Sequence, residues 1–195
     1  TRKESSAASD VYKRQELLSR FTSRSTVWIS ACLMVLLLTG CQSQKTTKDP
    51  KKAVQVRTQL AAEYIKSGDL DAAKRALDQA LEVNSRDSMA NMMMGVLLQQ
   101  EGSATNLEKA DTYFKRAISE EPTNAQARNN YGTYLYQLKR YNDAIEQFTI
   151  AGATLGYDQR YRALENLGRI YVLLGDRVNA EKSFKQALQA NRDSY

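Results

Sequence analysis

Histidine is absent from this 195-residue chain. No Ser-His or Cys-His pair can therefore activate a nucleophile, and no imidazole can hold zinc. Cysteine occurs twice, as Cys32 and Cys41, both in the N-terminal apolar stretch. With no further thiol downstream, a disulfide framework is excluded. Proline also occurs only twice, and Ala, Leu, Gln and Lys/Arg recur throughout, which suits an all-helical chain. No catalytic residue, metal site or cofactor is expected. A scattered set of Asp and Glu without His offers no convergent acid–base pair.

What is present divides unevenly. The net charge is +6, and residues 1–41 carry six Lys/Arg against three Asp/Glu, half of that excess. The remaining residues hold 22 basic and 19 acidic side chains. Such near balance reads as a solvated helical surface rather than a nucleic-acid footprint.

Residues 1–15 stand apart. The string from Ser5 to Gln15, SSAASDVYKRQ, resembles the in-frame translation of a sequencing adapter, and the chain does not begin with Met. These residues are set aside from fold reasoning. Residues 16–40 have the grammar of a lipoprotein signal peptide. Arg20 and Arg24 form a positive start, and Val27 to Leu38 is a 12-residue apolar run. That run is short of the roughly 20 residues a membrane-spanning helix needs. Leu38-Thr39-Gly40-Cys41 then resembles the bacterial lipobox. The resemblance implies a diacylglycerol on the Cys41 thiol, cleavage before it, and further acylation of the new amine. Three chains exceed the two signals that stable anchoring takes. Gln42 follows in place of Asp, which by Gram-negative sorting rules points to the periplasmic face of the outer membrane. Residues 41–52 read as a lipidated cysteine and a flexible polar tether.

The rest of the chain repeats one pattern. A small residue recurs at Ala61, Gly95, Gly132 and Gly168, with steps of 34, 37 and 36 residues. Each is followed by an alanine (Ala73, Ala110, Ala144, Ala180). One turn later comes a large residue: Leu77, Phe114, Phe148 or Phe184. This resembles the tetratricopeptide repeat, a pair of antiparallel helices. The small residue lets helix A approach helix B, and the large one fills the space between them. An all-α superhelical array over residues 53–195 is expected, with repeats at about 54–87, 88–124, 125–160 and 161–195. Breakers mark the turns: Ser67-Gly68-Asp69, Gly102-Ser103 and Gly175-Asp176. Three extra residues are assigned to the Gly102–Lys109 turn and two to Ala153–Gln159. No polar cap is visible after the fourth repeat, so the array is expected to continue beyond Tyr195 and its last helix to show an exposed apolar face.

In this fold the A helices line a concave groove. Stepping from the motif places Gln55, Thr58, Ala62 and Ile65 of the first repeat on it, Met89, Met92, Val96 and Gln99 of the second, Gln126, Asn129, Thr133 and Tyr136 of the third, and Arg162, Glu165, Arg169 and Val172 of the fourth. Of these, Ile65, Met89, Met92, Val96, Asn129, Thr133, Tyr136 and Arg169 are the candidate contact residues. The second repeat stands out for methionine, a side chain that adapts to a partner's apolar segment. Met92 is expected to face the groove, and Met93 and Met94 to pack between helices.

The stretch Asn129-Asn130-Tyr131-Gly132, Leu135-Tyr136 and Lys139-Arg140-Tyr141, with Glu165-Asn166-Leu167-Gly168 and Ala190-Asn191-Arg192, narrows the family. With the lipobox it resembles the type IV pilus pilotins, the PilF/PilW biogenesis lipoproteins. The resemblance implies a non-enzymatic scaffold. Its partners would be secretin subunits, escorted to the outer membrane and helped into a ring. Members have about six repeats, so two would be missing here. Other periplasmic repeat lipoproteins, adaptors for peptidoglycan enzymes or for outer-membrane protein assembly, share the lipobox and repeats but not this stretch.

Overall fold

The computed structural model describes residues 49–192. The adapter-like segment, the signal peptide, the lipobox residues Leu38, Thr39 and Gly40, Cys41 and most of the tether lie outside the described residues. Among those described there are eight helices and no strand. They are α1 (Pro50–Ser67), α2 (Leu70–Val83), α3 (Ser88–Glu101), α4 (Ala104–Glu120), α5 (Ala125–Gln137), α6 (Tyr141–Ala153), α7 (Arg160–Leu173) and α8 (Arg177–Arg192). Odd-numbered helices are the A helices of the four repeats and even-numbered ones the B helices. Each pair packs as an antiparallel hairpin, and each A helix also touches the A helix of the next repeat.

The helices start where the sequence supplies an acceptor. Asp49, Asp69, Asp87, Ser103 and Asn124 each cap a helix by accepting a backbone N–H from its first turn. Such a cap is worth about 1 kcal/mol. Pro50 takes the first helical position of α1, where its missing N–H costs nothing. The helix therefore begins inside the segment expected to be tether, and residues 50–52 belong to it.

The A–B turns close with a left-handed residue. Gly68, Gly102 and Gly175 adopt φ of 84°, 73° and 76°. The third repeat lacks that glycine, and Lys139 takes φ 59° instead. Its turn is still closed by the same paired bonds, Lys139 N–H to the Tyr136 carbonyl and Arg140 N–H to that of Leu135. A non-glycine residue tolerates this region at a cost of about 1 kcal/mol.

The extra residues of the second repeat are not in a turn. Ala104 to Lys109 are helical and extend α4 to 17 residues, against 14 in α2 and 13 in α6. Ser103 accepts from Asn106 N–H at 3.1 Å, and Asn106 Nδ2 donates to Glu101 at 2.7 Å. The sequence ATNLEK carries no breaker, so continuing the helix satisfies more backbone than a loop would. The third step behaves as expected: residues 154–159 form a longer connection in which Gly156 takes φ 83°.

The core follows the motif. Ala61, Ala73, Leu77, Ala110, Phe114, Ala144 and Phe148 are buried. A Cβ added to Gly95 would stand 3.0 Å from the Phe114 ring, and one on Gly132 would stand 2.8 Å from that of Phe148. The small-against-large spacing thus sets how closely each A helix meets its B helix. On the last helix Leu188 is exposed, whereas its counterparts Leu81 and Ile118 in earlier repeats pack against the core.

Candidate protein-binding groove

The eight groove residues chosen from the motif fall into two sets. Met89, Tyr136 and Arg169 are exposed, and Val96 and Thr133 are half-buried. Ile65, Met92 and Asn129 are closed off, at 9%, 0% and 9% exposure. Met92 is a correction. Its position turns toward α5 of the next repeat, where its sulfur accepts from Asn130 Nδ2 at 3.1 Å. Asn129 is likewise buried, with no hydrogen-bond partner for its side-chain Oδ1, and its backbone carbonyl accepts from Thr133 Oγ1 at 3.0 Å. Ile65 packs into the main core against its own hairpin. No partner can touch these three without opening the helix packing.

The groove itself has a volume of about 650 Å³ and lies across α1, α3 and the start of α5. Ala62, Met89 and Met93 give it apolar walls, and Gln55, Gln59 and Gln126 supply amides. Thr58 sits beneath, buried, with no hydrogen-bond partner for its hydroxyl. Lys51, in the first turn of α1, and Asp87, the cap of α3, both lie at the end where these helices begin. Of the motif-derived positions, Gln55, Thr58, Ala62, Met89 and Gln126 line this groove, and of the eight candidate contact residues only Met89 does. Met93 packs against the core as expected, and its remaining exposed side lines the groove in the place expected for Met92. The two differ by 100° around the helix, and only the angle between neighbouring A helices decides which one is open. Amide donors and acceptors beside polarisable thioethers suit an extended or helical peptide segment. Among the described residues no group of three or more His, Cys, Asp or Glu is placed to hold a metal.

Sequence reasoning overlooked a second cluster, at the junction of the second and third repeats. Tyr131 OH donates to Asp111 at 3.0 Å, and Arg140 reaches the same oxygen at 3.0 Å. Lys115 contacts the other carboxylate oxygen at 2.6 Å. Beside them Tyr134 OH donates to the Leu107 carbonyl at 2.7 Å. Burial alone would push the Asp111 carboxyl up. The bonds from Lys115 and Tyr131 and the charges of Lys115 and Arg140 outweigh it and hold the group below its usual value. Burial and then the bond to Asp111 push the Tyr131 phenol up. The carboxylate's contribution is complete above the ordinary carboxylate pKa and is lost as pH falls through the depressed folded value. Asp111→Asn is therefore expected to lower stability at neutral pH and to flatten its fall as pH drops below the ordinary carboxylate range. Urea midpoints measured across that fall check it; equal slopes in both proteins would refute it.

Comparison with known proteins settles the family. Tetratricopeptide-repeat models match residues 58–106, 113–146 and 163–194. The type IV pilus assembly protein PilF of Pseudomonas aeruginosa is 31% identical over 174 residues, covering 85% of this chain and 68% of that protein. This chain belongs to the type IV pilus PilF/PilW family of tetratricopeptide-repeat proteins. Two solved structures agree. That of P. aeruginosa PilF superposes with a TM-score of 0.70 at 30% identity, over 74% of this chain and 64% of that one. That of PilW, a widely conserved type IV pilus biogenesis factor, gives 0.64 at 29% identity over 70% of this chain and 61% of that one. The chain thus spans less than two thirds of either solved PilF/PilW-family chain.

Proposed function

We propose that this protein is an outer-membrane-anchored scaffold that binds type IV pilus secretin subunits and promotes their assembly, with Cys41 as the lipid attachment site. Family membership places it in pilus biogenesis; the groove across α1, α3 and α5 carries the binding reading. Its methionine and amide lining suits a segment of a partner protein. No chemical step is needed. A lipid on Cys41 would hold the bound secretin at the membrane, and tethering raises its local concentration there.

The test uses the full lipidated chain and purified secretin. Met89→Asp with Met93→Asp is expected to reduce secretin recovery at least about tenfold, since a charge must be desolvated in the contact. Leu155→Asp, on an exposed connection at 80% exposure, is expected to leave recovery unchanged. Cys41→Ser is expected to release the protein from the outer-membrane fraction while its binding in solution persists. Recovery of peptidoglycan hydrolases without secretin would favour the adaptor reading instead.

A further inference from the structure

The A–B turns of the four repeats fall along one edge of the array, because successive A helices lie side by side in the same direction. Three positions on this edge stay exposed in every repeat. The first holds Lys66, Gln100, Gln137 and Leu173. The second holds Ser67, Glu101, Leu138 and Leu174. The third, in the first turn of the B helices, holds Asp71, Glu108, Asn142 and Val178. In the first two repeats all of these residues are polar. In the fourth all three are large aliphatics, exposed by 57%, 50% and 79%.

The register separates this patch from an effect of lying in the last repeat. The same positions are open in repeats that do have a following neighbour. Leu188 is different, because its counterparts Leu81 and Ile118 pack against the core, and Val172 has counterparts of both kinds, buried Ile65 and exposed Tyr136. They are left out of the patch.

Cations surround it. Arg177 adjoins Val178, Arg169 lies one turn before Leu173, Lys182 lies one turn after Val178, and Lys139 sits on the neighbouring turn. All four are exposed, and none is in an ion pair among the described residues. Of the nearby acids, Asp143 and Glu181 are held in ion pairs, while Asp176 and Glu165 keep their charge, so the four cations leave the rim with a net positive charge. Asp176 accepts from the Asn179 backbone at 3.0 Å, Asp143 is held by Arg140 at 2.6 Å, and Glu181 by Lys185 at 2.7 Å. Aliphatic residues at a turn tip with free cations at the rim match an anionic lipid interface in both polarity and charge. Three side chains at one tip fall well short of the roughly 800 Å² per partner of a standard protein interface.

We propose that the α7–α8 turn is a membrane contact. Leu173, Leu174 and Val178 enter the interfacial layer of an anionic phospholipid leaflet, and Arg169, Arg177, Lys182 and Lys139 engage its headgroups. This contact is independent of the secretin reading. The test is site-specific, so attachment through the N-terminus does not affect it. In the full chain, Trp28→Phe removes the single native tryptophan, and an indole is introduced by Leu174→Trp or, separately, Leu155→Trp. Each protein is placed on vesicles of brominated phosphatidylethanolamine and phosphatidylglycerol. The indole at 174 is expected to shift to the blue and lose emission, while that at 155 does neither. Adding Arg169→Glu and Arg177→Glu, or replacing phosphatidylglycerol with phosphatidylcholine, is expected to abolish the loss. Equal behaviour at 174 and 155 would overturn the proposal. So would shielding at 174 that requires added secretin, which would make the tip a protein contact.

Discussion

Gly132→Val is expected to destabilise the protein by about 3 kcal/mol or more, through overpacking of a closed core. The sign is not obvious in advance. Gly132 lies inside α5 with helical geometry, so a side chain there would ordinarily gain up to about 1 kcal/mol of helix propensity. The contact decides against it. An added Cβ would stand 2.8 Å from the Phe148 ring, and that ring is 1% exposed, with nowhere to swing. The first repeat solves the same junction differently, with Ala61 against Leu77, both fully buried. Gly132→Ala with Phe148→Leu should therefore be more stable than the sum of its parts, by about 1–2 kcal/mol of coupling. Urea denaturation of the four proteins measures this, with an unchanged slope showing that only stability moved. Purely additive losses would mean that the ring and the glycine do not limit each other. Gly168 offers a contrast. A Cβ there meets Phe184 at 2.7 Å, but Phe184 is only half-buried and can yield, so the same change should cost less.

Phe114→Ala is expected to cost about 3–5 kcal/mol, the range for emptying a buried aromatic site. It should also divide the array. Phe114 is fully buried beneath Gly95 of its own repeat, and its ring lies 5.6 Å and 5.3 Å from those of Tyr131 and Tyr134 in the next. The two tyrosines are in turn tied to α4 through Asp111 and the Leu107 carbonyl. Arrays of this kind are stabilised by nearest-neighbour interfaces, so loss of one interface uncouples the two sides. Unfolding followed by circular dichroism should broaden or split into two steps. Hydrogen exchange should show α1–α4 and α5–α8 opening separately. A single transition of unchanged slope, with a loss below about 1 kcal/mol, would show that the aromatic cluster does not join the halves.

The groove shows where a one-dimensional reading stops. Met89 was legible, because the position after the first residue of helix A faces outward in any such pair. Met92 and Met93 were not. Both are apolar, and both lie at positions that periodicity alone allows to face either a partner or the next helix. Asn130 of the following repeat settles it by closing over Met92. Gln55, Thr58 and Gln126 were legible from the same repeat register, whereas Gln59 carries no signal in sequence, since glutamine on a helix surface is usually just solvated. The Asp111 cluster was hidden for a related reason. Its members lie up to 29 residues apart, on α4, α5 and the turn before α6, and only the packing of those two repeats brings Asp111 beside Tyr131 and Arg140.

The sequence by itself determined the repeat, its register and the pairing of small with large residues. These depend only on local spacing: 3.6 residues per turn and one close approach per hairpin. Together with the stretch from Asn129 to Tyr141 it also determined the family. The tertiary structure decided what depends on angles between hairpins. It turned Met93 rather than Met92 into the groove and placed the extra residues in α4 rather than in a turn. It also left Leu173, Leu174 and Val178 together on one edge. Those angles arise from how four interfaces pack at once, and no single repeat specifies them.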